Sequence, residues 1–226
     1  MSQQVEAAAM GTGGRLGYRA LQKVALLLAR ALVRVSVSGQ EHVPTSGGFI
    51  LAPGGHRSIL DTPMAGLASP RILRFMGAEN YFKIPGLGVF LRTLGGFPVE
   101  RSMTDRAALR LCEEVLRSGE PLVVFPEGTR QEGPIVQPLK QGAAFLACRA
   151  SVPIVPVGIG GAQRAMPKGA RYIRPSKVAI IVGEPIHPPG RVDGERVKRS
   201  TVSDVSDELR ERLQELFDEA QISVGA

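Results

Sequence analysis

His56 and Asp61 are the residues of this chain whose types and spacing come nearest to acid–base chemistry. They stand in PGGHRSILDTPM, residues 53–64, and His56 is one of three histidines among 226 residues. Imidazole is the side chain whose ordinary pKa, about 6.5, suits proton transfer near neutrality. It works best as a base when a carboxylate fixes its tautomer and stabilises the imidazolium. On one continuous helix, five residues turn through about 140°, so the pair would point apart. They meet only if His56 lies in a loop and Asp61 in the first turn of the helix that follows. Gly54 and Gly55 allow such a loop. The same residues also read as a loop histidine followed by an aspartate that caps a helix at Thr62-Pro63. The spacing alone leaves both readings open.

Two more stretches place polar groups after apolar runs. FPEGTR, residues 125–130, could offer backbone N–H groups and Arg130 to an anion, because a guanidinium pairs with phosphate through two bonds. It could equally be a surface turn with a solvated arginine. GGFPVER puts Arg101 behind another apolar run, where an ordinary surface arginine would also fit.

The elements that must position these groups alternate. Apolar runs at 47–53, 71–77, 96–101, 121–128, 152–161 and 177–186 read as strands. Helical patterns lie between and after them, at 62–69, 84–95, 104–120, 140–151 and 203–221, with Thr104 and Gly119 as the caps of the third. This order predicts a single α/β domain: a largely parallel or mixed twisted sheet flanked by helices. In such a sheet the chemistry sits beyond the carboxyl ends of the strands. His56, Arg101, Glu127 and Arg130 would then face one pocket.

Residues 1–14 read as a disordered leader. Residues 15–37, RLGYRALQKVALLLARALVRVSV, predict an N-terminal amphipathic helix. Arg15, Arg19, Lys23, Arg30 and Arg34 fall within a sector of about 100°, and the rest is apolar. A narrow basic stripe on a wide apolar face suits a membrane interface, although a core-packing helix with a solvated edge would look similar.

The formal charge of +7 is uneven. Between Gly133 and Gly183 there is no acid but seven basic residues: Lys140, Arg149, Arg164, Lys168, Arg171, Arg174 and Lys177. An anionic partner follows, either lipid headgroups, a phosphorylated small molecule or nucleic acid. Nucleic acid is the poorest fit, for the chain lacks aromatic platforms and a recognised module. Cys112 and Cys148 sit in apolar helical patterns and read as buried core, not as a disulfide or zinc site. No metal-ligand cluster, phosphate-binding Gly-Lys loop or nucleophile elbow is present. No secretory signal or membrane-spanning apolar run is visible.

Taken in order, His56-x4-Asp61, Gly96-Phe97…Arg101, FPEGTR and VPIVPVGI resemble the four blocks of the glycerophospholipid acyltransferase family, best known for 1-acylglycerol-3-phosphate acyltransferases. The resemblance covers roughly residues 35–190 and makes 38–226 the acyltransferase domain. It implies that His56 is the general base and Asp61 its charge partner. It implies that Arg101 is a phosphate ligand and that Glu127, Gly128, Thr129 and Arg130 bind the acceptor. Pro153 and Pro156 would support the acyl or donor side. The family often has asparagine before the histidine, where this chain has Gly55. Many members also carry an upstream lysine that helps hold phosphate. Here Glu79 and Asn80 lie near that region, and Lys83 is the nearby candidate.

The implied reaction moves a fatty acyl group from an acyl thioester, acyl-CoA or acyl carrier protein, to the free hydroxyl of a lysophospholipid. It needs no metal and no cofactor. 1-Acylglycerol 3-phosphate is the first acceptor, with glycerol 3-phosphate or another lysophospholipid or glycolipid as alternatives. A catalytically silent lipid-binding module on the same scaffold is the rival class, and intact His56 and Asp61 argue against it. An apolar groove must hold the acyl chain, and IPGLGVFLRTLGGF is the best segment to line it. The expected setting is peripheral, on an anionic membrane surface at the cytoplasmic face.

Overall fold

The computed structural model describes residues 17, 18, 20, 23, 24, 27, 33–58, 60–100, 105–167, 169–190 and 196–225. The proposed leader, Arg101, Thr104 and Lys168 lie outside these residues. The strands described are β1 (Arg34–Ser38), β2 (Ile50–Gly54), β3 (Phe75–Ala78), β4 (Gly96–Val99), β5 (Leu122–Val123), β6 (Ile154–Gly160) and β7 (Lys177–Val182). The helices are α1 (Asp61–Ala65), α2 (Glu79–Phe82), α3 (Leu87–Thr93), α4 (Asp105–Arg117), α5 (Gly142–Ala150), α6 (Ala162–Ala165) and α7 (Arg199–Ser223).

The main sheet runs β1-β7-β6-β2-β5. Every pair in it is parallel except β6 with β7, so the sheet is mixed. β3 and β4 form a separate parallel pair, hooked to the larger sheet where Arg74 bridges Leu122. β2 and β6, with sequences ILAPG and IVPVGIG, are buried at every position. Continuous apolar runs are what a strand covered on both faces requires.

α7 makes the closest cover. Its buried Leu209, Leu213, Phe217 and Ala220 recur at helical spacing along one stripe. The stripe lies on a floor with no side chains: a Cβ at Gly158 would meet the Leu216 backbone, and one at Gly160 the Ala220 backbone. α4, α5 and α7 share one core cluster, and α1 lies in the other with Phe49, Leu51, Val155 and Val157. Cys112 and Cys148 are buried as expected, and burial pushes the Cys112 thiol up to about 12.

The N-terminal helix is shorter than predicted. Gly17, Tyr18, Ala20, Lys23, Val24 and Leu27 are helical, but Arg34–Ser38 is an edge strand paired in register with β7, Arg34 beside Lys177. The reason is periodicity. Val33, Val35 and Val37 alternate with Arg34, Ser36 and Ser38, and β-branched residues at period two fit a half-buried strand. Arg34–Ser38 therefore belongs to the sheet and not to the N-terminal helix, and Tyr18 of that helix packs into the domain, 5% exposed, with its hydroxyl 3.4 Å from the Leu73 nitrogen.

Candidate active site

β2 ends at Gly54, and Gly55 adopts φ +70°. A side chain there would run into the Phe217 ring, so only glycine lets the loop lie flat on α7. His56 follows at the carboxyl end of a central strand, with Asp61 opening α1 after the loop folds back.

One carboxylate oxygen organises that loop. Asp61 Oδ2 lies 3.0 Å from His56 Nδ1 and accepts N–H bonds of 2.7 Å from both Arg57 and Ser58. Asp61 is therefore the first residue of α1 and not its cap; Leu60 holds the cap position and makes no side-chain bond there. The helix-capping reading of the spacing falls, and the loop-plus-first-turn reading stands. Ser58 Oγ donates to the Met166 carbonyl at 2.8 Å and fixes the loop from the other side.

The imidazole ring lies against Phe125, with centroids 4.4 Å apart and planes tilted by 33°. Because Asp61 can only accept, the hydrogen-bond network assigns the ring proton to Nδ1. Nε2 then carries the lone pair and has no partner among the described residues. A side chain 14% exposed, oriented by a 1% exposed carboxylate, can take a proton from a hydroxyl brought to Nε2.

The FPEGTR turn is tied to the same loop. Glu127 Oε1 accepts the His56 backbone N–H at 3.0 Å, and Gln131 N–H donates to the His56 carbonyl at 2.8 Å. Glu127 Oε2 accepts from Arg57 Nη1 at 3.1 Å and from the Gln137 backbone at 3.2 Å. Neither side chain of the Arg57–Glu127 pair reaches solvent to any extent, at 4% and 0% exposed. Arg57 also donates to the carbonyls of Gly133 and Ile135, and its guanidinium covers the Phe217 ring at 5.2 Å. The Glu127 carboxylate is thus spent inside the protein and positions His56 and Arg57.

Gly128, Thr129 and Arg130 form the exposed part of the turn, and Thr129 Oγ1 accepts from Gln131 Nε2. Lys83 is drawn elsewhere: its ammonium, 69% exposed, pairs with Glu79 at 3.1 Å. Among the described residues it contacts none of the site residues. Phe97 is 2% exposed, a core residue of β4. No group of three or more metal-ligating side chains occurs among the described residues. Sequence reasoning passed over Arg57 and Phe125. Phe125 stood inside the quoted motif, so the position of its ring next to His56 could have been anticipated from the turn. A buried Arg–Glu pair seventy residues apart leaves no local signal.

Comparison with known proteins identifies the family. The Acyltransferase family model matches residues 34–160, from the first residue of β1 to the last of β6. A 1-acyl-sn-glycerol-3-phosphate acyltransferase of Bacillus subtilis is 29% identical over 154 residues, 68% of this chain and 74% of the relative. A chloroplastic 1-acyl-sn-glycerol-3-phosphate acyltransferase of Brassica napus is 30% identical over 158 residues, 68% of this chain but 45% of its own length. The crystal structure of the 1-acyl-sn-glycerophosphate acyltransferase PlsC from Thermotoga maritima superposes with a TM-score of 0.70 at 30% identity, covering 88% of this chain and 79% of that one. A family match over more than half the chain, and a solved relative sharing both fold and sequence, mean that this chain belongs to the acyltransferase family.

Proposed function

We propose that this protein is a peripheral membrane enzyme that transfers a fatty acyl group from an acyl thioester to the free hydroxyl of 1-acylglycerol 3-phosphate, giving phosphatidic acid. The observation that carries the reading is His56, oriented by Asp61 at 3.0 Å with its other nitrogen unpartnered among the described residues. The acceptor oxygen attacks the thioester carbonyl carbon as its proton passes to His56 Nε2. The C–S bond breaks, and the departing thiolate takes that proton back. Holding both reactants against one base supplies much of the acceleration.

An apolar cavity of about 210 Å³ supports an acyl substrate. Thr62 and Pro63, directly after Asp61, form one wall, and Leu73, Phe75, Leu91 and Leu94 form others. Leu91 and Leu94 belong to the segment expected to line a groove. The names of the relatives support lysophosphatidic acid as the acceptor. Thiol release from acyl-CoA that depends on added 1-acylglycerol 3-phosphate, with phosphatidic acid as product, tests the reading. Release without acceptor dependence rejects it.

The membrane side of the proposal rests on the outer surface of the same segment. Tyr81, Ile84, Val89 and Phe90 are 51%, 48%, 70% and 47% exposed, beside the basic Lys83 and Arg92. Apolar side chains flanked by cations suit an anionic lipid surface. Val24 and Leu27 on the N-terminal helix are exposed as well. No helix among the described residues is long and apolar enough to cross a membrane. Replacing Val89 and Phe90 together by glutamate should weaken sedimentation with vesicles of phosphatidylglycerol and phosphatidylcholine by about tenfold or more, since burying each such side chain contributes about 1.5–3 kcal/mol. Unchanged sedimentation assigns the contact to another surface.

A further inference from the structure

Lys83 pairs with Glu79 and Arg101 lies outside the described residues, and beside Arg130 a further cation, Lys140, is placed to meet the phosphate of the proposed acceptor. Lys140 stands two residues before α5, and its side chain lies over the FPEGTR turn. A Cβ built on Gly128 would stand 2.7 Å from Lys140 Cε and 2.9 Å from Nζ. The bare α-carbon of Gly128, at φ +76°, is what gives the lysine stem its seat. The Lys140 backbone is fixed there too, because its N–H donates to the Pro126 carbonyl at 2.8 Å.

The turn beneath the Lys140 side chain is bonded to His56 on both sides, through Glu127 and Gln131. Lys140 and Arg130 are both exposed, and neither pairs with a carboxylate among the described residues. Glu127, at the start of the same turn, points inward to Arg57, and Glu132, the carboxylate between the two cations in sequence, pairs with neither of them among the described residues. From residue 133 to 183 the chain contains no acid to neutralise them. Arg130 on the turn and the Lys140 stem over it thus put two cations, without carboxylate partners among the described residues, on the segment that is hydrogen-bonded to the His56 backbone.

We propose that Lys140 binds the phosphate of the acceptor together with Arg130. This deepens the acceptor reading above and rests on it. The ammonium is a compact charge with rotatable donors, whereas the guanidinium fixes the phosphate through a planar fork. Lys140 would therefore contribute affinity for the phosphate and Arg130 its orientation.

Steady-state kinetics on the full chain test the assignment, with oleoyl-CoA as donor and 1-oleoylglycerol 3-phosphate or 1-oleoylglycerol as acceptor. Lys140→Ala should raise the KM for the phosphorylated acceptor about tenfold or more, as loss of a charge-assisted bond implies. The donor KM should move by less than about twofold. The preference for phosphorylated over phosphate-free acceptor should fall by the same factor as the acceptor KM rises. Lys140→Arg should recover most of the loss, and Lys140→Met, which keeps the stem on Gly128, should not. Recovery by Lys140→Met would overturn the proposal, since the stem would then only prop the turn. A rise in donor KM with acceptor KM unchanged would overturn it too, assigning the lysine to the donor. Failure of the wild-type chain to use the phosphorylated acceptor would instead overturn the acceptor reading itself, before any variant is compared.

Discussion

Without its imidazole, the His56→Ala protein turns over about 10²–10⁴-fold more slowly, and its fold is unchanged. The two halves of this expectation have separate grounds. His56 reaches its neighbours by backbone as well as by side chain. Its N–H bond to Glu127 and its carbonyl bond from Gln131 survive in alanine, so the loop keeps its anchors. The ring itself gives up its contact with Phe125 and its bond to Asp61. What disappears is the lone pair at Nε2. The fall should therefore appear in kcat, with both KM values nearly unchanged. Thiol release from acyl-CoA measures it, and far-ultraviolet circular dichroism checks the fold. A folded His56→Ala protein with near-normal turnover would remove His56 as the base. Asp61→Asn should also slow turnover, because an amide presents N–H where Oδ2 now accepts three bonds, or turns its oxygen and holds the imidazole more weakly.

Glu127→Ala should cost about 3–5 kcal/mol of stability, the penalty for breaking a buried pair and leaving one charge behind. Arg57 is the stranded charge. Its guanidinium is 4% exposed, enclosed by Phe217, Gly133 and Ile135, and has little route to water. The attraction within the pair is not the main quantity here, because desolvation offsets much of it. The loss comes from an arginine that can neither be solvated nor give up its proton. Urea unfolding monitored by circular dichroism reads it as a drop in midpoint at constant slope. The double variant Arg57→Met, Glu127→Leu should be closer to wild type than Glu127→Ala is, since it leaves no charge unpaired. Equal stability of Glu127→Ala and wild type would mean that water reaches Arg57 readily.

The legible part of the sequence was the part written in local periodicity and order. Alternating apolar runs gave the α/β sheet, and the short His56–Asp61 interval allowed the two side chains to meet at one strand end, whereas the role of a base was implied only by the resemblance to the family. The extent of the first helix was misread because RALVRVSV satisfies a helical pattern and a period-two pattern at once. Pairing with β7, more than 140 residues away, decides it for Arg34–Ser38. Glu127 shows the other limit. A carboxylate in a polar turn looks available to a ligand, and only its partner seventy residues earlier turns it inward. Lys140 was visible as one charge in a basic zone, but its seat on Gly128 depends on how the chain returns to the turn after residue 131.

The loop that holds His56 is built early in the chain and finished late. Phe217, the ring on which Gly55 and Arg57 rest, lies near the C-terminal end of α7, and Gly158 and Gly160 of β6 wait for the same helix. During synthesis the strands of the central sheet leave the ribosome well before that helix does. A nascent chain therefore has His56 and the Asp61 carboxylate in hand while the surface under them is still missing. Catalytic competence arrives with the last two turns of α7, and a product ended before Phe217 would expose an apolar sheet face open to aggregation in place of a working enzyme.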